Sequence, residues 1–371
     1  MDSCIINKRQ SIGARNAEIE LFRFLFAVGI MLAHYGQTYG YGFFSNGAIG
    51  VEYFLLLSGL LMARSAEKAQ RGEKQPLGSA TWSFLKKKIL VFYPYYVLVL
   101  ISQFVIVRGI IQRCTLNVLI RSFLNAIPQF FLLEPVTGAY VAGGPYSMGI
   151  SGRWYLSAMI WGMAFLYPIL LRKNDLSRKL LFPIIAAFSL GYLQQNYGTI
   201  RQTYGWGSVC GLSLLRAIGE MALGVICYEL VKGLKNILPR LTKLGRLALF
   251  LLKLGCFLIA FLHAASVITL PFLTVALIIA AGLTVAFAGE GVYPVGNRLC
   301  LYLGKLSLPL YLVHVPVKTV VVNWLSTQAT KPYAGLIMVG CVLLAALIMY
   351  IMPLFIKALK NCKPFFIRAD E

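Results

Sequence analysis

Two side chains near the N-terminus have the types and the spacing for acid–base chemistry inside a membrane helix. The stretch Glu20 to Gln37, ELFRFLFAVGIMLAHYGQ, is largely apolar yet carries Arg23 near one end and His34 near the other. These two residues are eleven positions apart. On a helix that spacing brings them within about 20° of a shared face, roughly 16 Å apart along the axis. A permanent cation suits an anionic donor or a developing oxyanion. An imidazole, which titrates near neutrality, suits a general base. Ionisable groups inside a membrane helix are costly, and by default they mark function. The plainer alternatives are an Arg23 that snorkels or pairs with Glu20 one turn away, and a His34 that joins two helices by a hydrogen bond.

The elements that would hold this pair are membrane helices. The chain has 371 residues, of which 58% are hydrophobic and only 13% charged. A soluble chain carries about twice that charged fraction. Apolar runs long enough to span a bilayer recur at 20–36, 46–63, 89–107, 154–171, 180–194, 214–231, 247–265, 270–288, 306–325 and 334–356. The reading is an all-α polytopic membrane protein of ten spans, forming a single membrane-embedded domain over residues 1–371, with its core at about 15–356 and no fused soluble domain. The segment 115–133 is interrupted by Arg121, Asn125 and Pro128, which suits an interfacial or re-entrant helix. With ten spans both termini lie on one side. Loops on that side hold 25 of the 35 Lys and Arg, against six on the other side and four within spans. The positive-inside rule makes the basic side cytoplasmic, in the plasma or inner membrane. A crossing at 115–133 would turn the basic loops 172–179 and 232–246 outward. The formal net charge of +22 is therefore read as topology and lipid attraction, with no nucleic-acid partner.

Other polar groups fall within or beside the spans. Glu52 opens the second span and can position an acceptor or pair with a cation. Arg216 and Glu220 are spaced i, i+4 and read as a mutual pair. Lys253 has no evident partner, and His263 reads as a structural residue near an outer helix end. His314 has Pro309 and Pro316 on either side, a pattern that marks a cavity wall or a kink. Ser58–Gly59 permits close helix approach, and Ser58 can hydrogen-bond across helices. The eight cysteines form no C-x-x-C pair and no zinc spacing, so neither a disulfide framework nor a metal site is expected. The chain has no phosphate-binding loop, no G-x-S-x-G and no H-E-x-x-H.

Four stretches together resemble the acyltransferase-3 family of integral membrane O-acyltransferases. They are RNAEIELFRFLFAVGIMLAH with its Arg23-x10-His34 spacing, GVEYFLLLSGLLM at 50–62, RWYLSAMIWGMAFLYP at 153–168, and LGKLSLPLYLVHVPV at 303–317. Glu52 stands where the family usually has Asp and keeps the carboxylate. Leu55 replaces a Phe and Leu308 a Tyr. Lys86, Lys87 and Lys88 stand where arginines are usual; they keep the charge without the bidentate fork.

The resemblance implies transfer of an acyl group, most simply acetyl from acetyl-CoA, to a hydroxyl of an extracytoplasmic or lipid-linked glycan. No cofactor is bound; the acyl-CoA is a co-substrate. His34 and Arg23 would be catalytic, His34 as general base or, less favoured, as a transient acyl carrier. Glu52, Ser58, Trp154 and His314 would bind substrate, and Lys86, Lys87 and Lys88 would meet the donor. Partners would be acyl-CoA, the glycan acceptor, membrane lipid and glycan-assembly proteins. Two rival readings are a glycan or polyisoprenoid carrier and a catalytically degenerate assembly protein.

Overall fold

The computed structural model describes residues 16–39, 42–72, 75–137, 154–172, 176–203, 205–207, 210–289, 297–325 and 333–361. Both chain termini, whose cytoplasmic placement the charge pattern predicts, lie outside the described residues. Among the described residues twelve α-helices follow in order. They are α1 Ala17–Tyr39, α2 Ile49–Arg71, α3 Leu77–Gln103, α4 Leu116–Phe130, α5 Glu134–Thr137, α6 Trp154–Leu171, α7 Phe182–Tyr197, α8 Leu212–Ile237, α9 Lys243–Ala264, α10 Phe272–Ala288, α11 Asn297–Val320 and α12 Ala334–Asn361. No strand occurs among the described residues. Among the described residues six helices are long and apolar enough to cross a membrane: Ile49–Arg71, Leu77–Ile111, Trp154–Leu171, Lys243–Ala264, Arg298–Asn323 and Ala334–Met352.

The helices divide into an inner and an outer set. In α2, 78% of the most apolar window is buried, against 22% in α12. Helices α2, α6 and α11 are thus covered mainly by protein, while α3, α9 and α12 turn leucine, valine and isoleucine outward, as lipid-facing helices do. α1 packs most extensively on α11, and α2 on α8. Glycines set the α2–α8 distance: a Cβ added at Gly59 would overlap the Met221 backbone, and one at Gly224 the Leu56 carbonyl. Both seams are parallel. Glu20 lies on Gly304 while His34 lies on His314. Glu52 meets Arg216 at one end of α2, and Glu67 lies 3.8 Å from Lys232 at the other.

Local signals place the elements. Asn16 caps α1, its Oδ1 accepting from the Glu18 and Ile19 amides at 3.0 and 3.4 Å. Its amide nitrogen donates to the Ala286 carbonyl, which ties α1 to the end of α10. Thr242 caps α9 by accepting from the Gly245 amide. Gly198 ends α7 in the left-handed conformation, φ +68°.

The third helix differs from the expected span 89–107. It is helical from Leu77 through a π-helical continuation to Ile111, 35 residues in all. At 1.5 Å per residue that is about 52 Å, well beyond a hydrocarbon core of about 30 Å. Lys86, Lys87 and Lys88 therefore ride on a formed helix rather than at its start. The ambiguous segment forms α4, 15 residues long, or about 22 Å, too short to cross. Leu116, Ile120, Phe123, Leu124, Ile127 and Phe131 share its exposed face, while Ser122, Ala126 and Gln129 face the protein. Tyr93 and Tyr96 of α3 donate to the Phe130 and Gln129 carbonyls, both at 2.9 Å, and pin its end. The segment 115–133 thus contains an amphipathic helix with its apolar side chains outward.

Candidate functional site

The seam between α1 and α11 places two histidines face to face. The His34 and His314 ring centroids are 5.1 Å apart, with the planes 33° from parallel. On α11, Gly304, Ser307, Tyr311, His314 and Lys318 recur at helical spacing and form one stripe. Gly304 lets α1 approach, because a Cβ there would overlap the Glu20 carboxylate. His314 is buried, at 1% exposure, and its Nδ1 donates to the Tyr311 carbonyl at 2.5 Å. In the neutral ring that bond leaves Nε2 with the lone pair. Both prolines lie within the helix, as the sequence pattern anticipates. Pro316 removes the amide that would bond the Leu312 carbonyl. Aromatic rings continue from this pair: Tyr311 is 5.6 Å from His314, Tyr155 is 5.5 Å from Tyr311, and Phe54 is 6.1 Å from Tyr155.

Beside it lies a buried ion cluster. Glu52, fully buried in the first turn of α2, pairs with Arg216 Nη2. Arg216 Nε reaches Glu220 at 3.0 Å, its Nη1 reaches Thr203 Oγ1 at 3.5 Å, and its guanidinium lies 5.1 Å above the Trp154 ring. One arginine thus joins α2, α6, α8 and the loop before α8. The expected Arg216–Glu220 pair is present, and Glu52 completes it as a third member. Buried charges of this kind persist only when each is matched.

Arg23 lies toward the other end of α1. Its Nη1 binds both Glu20 oxygens, at 3.1 and 3.0 Å. Glu20 thereby holds the guanidinium plane without using Nη2 or Nε. The Arg23 charge reaches the Lys88 ammonium and the Tyr155 hydroxyl. Lys88 is half-buried over the Phe84 ring, whereas Lys86 and Lys87 are exposed. Ser58 Oγ lies 3.3 Å from Met159 Sδ and also bonds Tyr155. Lys253, expected to be without a partner, pairs with Glu18 at 2.8 Å. His263 is buried and accepts from the Leu270 amide at 3.3 Å, which makes it structural.

The structure therefore joins His34 with His314 and Glu52 with Trp154 through Arg216, and sets Lys88 within electrostatic reach of Arg23. It keeps Arg23 about three turns from His34, as one unbroken helix requires. Tyr155, Tyr311, Arg201 and Lys318 also bear on this region, and sequence reading does not single them out. Tyr311 precedes His314 by three residues, and Tyr155 follows Trp154, so position beside a motif was the available signal. Among the described residues no three His, Cys, Asp or Glu side chains come together as a metal site. A separate apolar cavity of about 290 Å³ opens between α3, α11 and α12, lined by Val99, Val313, Val317 and Met349 among others.

The sequence was compared with known proteins. The acyltransferase-3 family model, described as an acyltransferase domain, matches residues 16–351. Searches of curated proteins and of solved structures returned no match.

Proposed function

Because the chain belongs to the acyltransferase-3 family of membrane acyltransferases, we propose that it moves an acyl group, most simply acetyl from cytoplasmic acetyl-CoA, to a hydroxyl of an extracytoplasmic or lipid-linked glycan. The observation that carries this reading is the His34–His314 pair, 5.1 Å apart on the α1–α11 seam. His34 takes the proton of the sugar hydroxyl as its oxygen attacks the thioester carbonyl. The tetrahedral oxyanion then collapses, the carbon–sulfur bond breaks, and the CoA thiolate leaves and regains a proton. His314, its tautomer held by the Tyr311 carbonyl, positions the reacting hydroxyl beside His34. Arg23, oriented by Glu20, meets the anionic donor through Nη2 and Nε, with Lys88 adding positive charge. Glu52 acts on the acceptor side by fixing Arg216 and Trp154, and Ser58 holds Tyr155.

Helix directions support the ten-span arrangement. Two helices running the same way through a bilayer are separated by an odd number of crossings. If α4 and the four-residue α5 lie on the surface and every other helix crosses, α1 and α11 have seven crossings between them and α2 and α8 have three. Both numbers are odd. A crossing by α4 would make both even, against the parallel packing of both seams.

The experiment is ester analysis of cell glycans together with transfer from acetyl-CoA by purified protein. His34→Ala is expected to lower turnover by about 10²–10⁴-fold. Persistent acylation in that variant would overturn the assignment. Glycan export that depends on the protein without any ester would favour the carrier reading instead.

A further inference from the structure

Two cations beside the histidine pair are left unused by this chemistry. Arg201 lies in the loop 198–203 between α7 and α8, half-buried, with its guanidinium 5.1 Å from the Phe272 ring centroid. Phe272 is itself braced edge-on by His263 at 5.2 Å, so the guanidinium rests on a fixed plane. Lys318 follows His314 by one helical turn, about 40° round α11 and about 6 Å further along its axis. The charges of both reach His34. Neither makes an ion pair among the described residues; Glu52, the carboxylate whose charge bears on Arg201, is taken up by Arg216. Burial lowers the Arg201 pKa from its ordinary value, and Glu52 opposes that effect; arginine remains a cation across working pH. Arg201 therefore stands beside the Glu52–Arg216 pair, and Lys318 lies one turn beyond His314 on α11. Arg23 and Lys88 lie at the other end of the seam. The histidines sit between two cationic ends.

We propose that Arg201 and Lys318 form an anion-binding subsite for the acceptor, so that the glycan acylated here is acidic, with a carboxylate or a phosphate close to the reacting hydroxyl. The assignment deepens the proposed reaction and rests on His34 as its reacting end. A half-buried cation with no acid of its own is the group an incoming anion stabilises most, through charge-assisted hydrogen bonds that the guanidinium fork can make in pairs. The α11 stripe sets the reach: an anion held by Lys318 lies about one helical turn from His314, the separation of neighbouring substituents on a short glycan.

The test measures binding to the full chain in zwitterionic nanodiscs. The probes are trigalacturonic acid for the carboxylate, a glycerol-phosphate trimer for the phosphate, neutral maltotriose, and coenzyme A. At least one acidic probe is expected to bind about tenfold or more tighter than maltotriose, and added salt should erode that preference. Arg201→Gln and Lys318→Gln should each collapse the acidic-to-neutral ratio by about fivefold or more, and Arg201→Lys should retain part of it. The carboxylate and phosphate arms name the anion. Equal binding of acidic and neutral probes overturns the proposal. So does a ratio unmoved in both variants, or a loss confined to coenzyme A, which would assign the cations to the donor. If a variant does not fold, the wild-type probe and salt series decides. Binding needs no turnover, so tight acidic binding without ester formation counts against the acyl-transfer reading alone.

Discussion

At the residue scale, Arg216 ties α2, α6 and α8 together. It sends Nη2 to Glu52 and Nε to Glu220, and covers Trp154, while the pairs it forms are almost wholly buried. Arg216→Met leaves two buried carboxylates facing each other without a cation. It is expected to cost about 3–5 kcal/mol, read as a lowered unfolding midpoint in detergent. Arg216→Lys keeps the charge but loses the fork that serves two acids at once, so it should recover only part of that stability. His314 is a different case. Its Nδ1 bond to the Tyr311 carbonyl fixes the ring, so His314→Ala removes a positioning group and leaves His34 in place. Transfer is expected to fall by about tenfold to a hundredfold, less than for His34→Ala, and acceptor KM should rise while donor KM holds.

At the element scale, the α1–α11 seam depends on a small residue. Gly304→Val would push the Glu20 carboxylate away from its place and release the plane of Arg23. A cost of about 1–3 kcal/mol is expected in thermal unfolding, with a rise in donor KM. The amphipathic helix α4 makes a separate prediction, on the reading that it lies at the membrane surface. Arg121→Cys in native membranes should react with an impermeant maleimide about tenfold faster than Leu124→Cys, measured over the wild-type background, because Leu124 belongs to the exposed apolar face that the interfacial placement buries in lipid. Equal rates would mean that the apolar face is not buried in the bilayer. This helix was legible in the sequence, since Arg121, Asn125 and Pro128 interrupt the apolar run. The start of α3 was not. LGSATWSFLKKK carries no sustained apolar stripe, and its helix extends beyond the apolar length that hydropathy detects.

At the scale of the whole molecule, the crossing pattern predicts sidedness. A tag placed within 172–179 should label only after cells are permeabilised, and one within 205–211 should label in intact cells. The reverse result would invert the bundle. What could be read in advance at this scale follows from sequence distance. Arg23 and His34 share one helix, so period alone aligns them. The pairing of Glu52 with Arg216 spans 164 positions, and the meeting of His34 with His314 joins the first helix to one near the end of the chain. Only packing brings such residues together, and no local pattern encodes it. Arg201 and Lys318 sit in no motif, and their interest comes from what surrounds them. The glycine contacts of α2 and α8 carry a mechanical consequence. Helices that touch main chain to main chain cannot slide, because a shift of one residue would drive a side chain into the Met221 or Leu56 carbonyl. That pair is the chassis of the bundle. The periphery is looser: α3 and α12 both rest on α11, and the apolar cavity opens between them, so movement is easier there than at the α2–α8 seam.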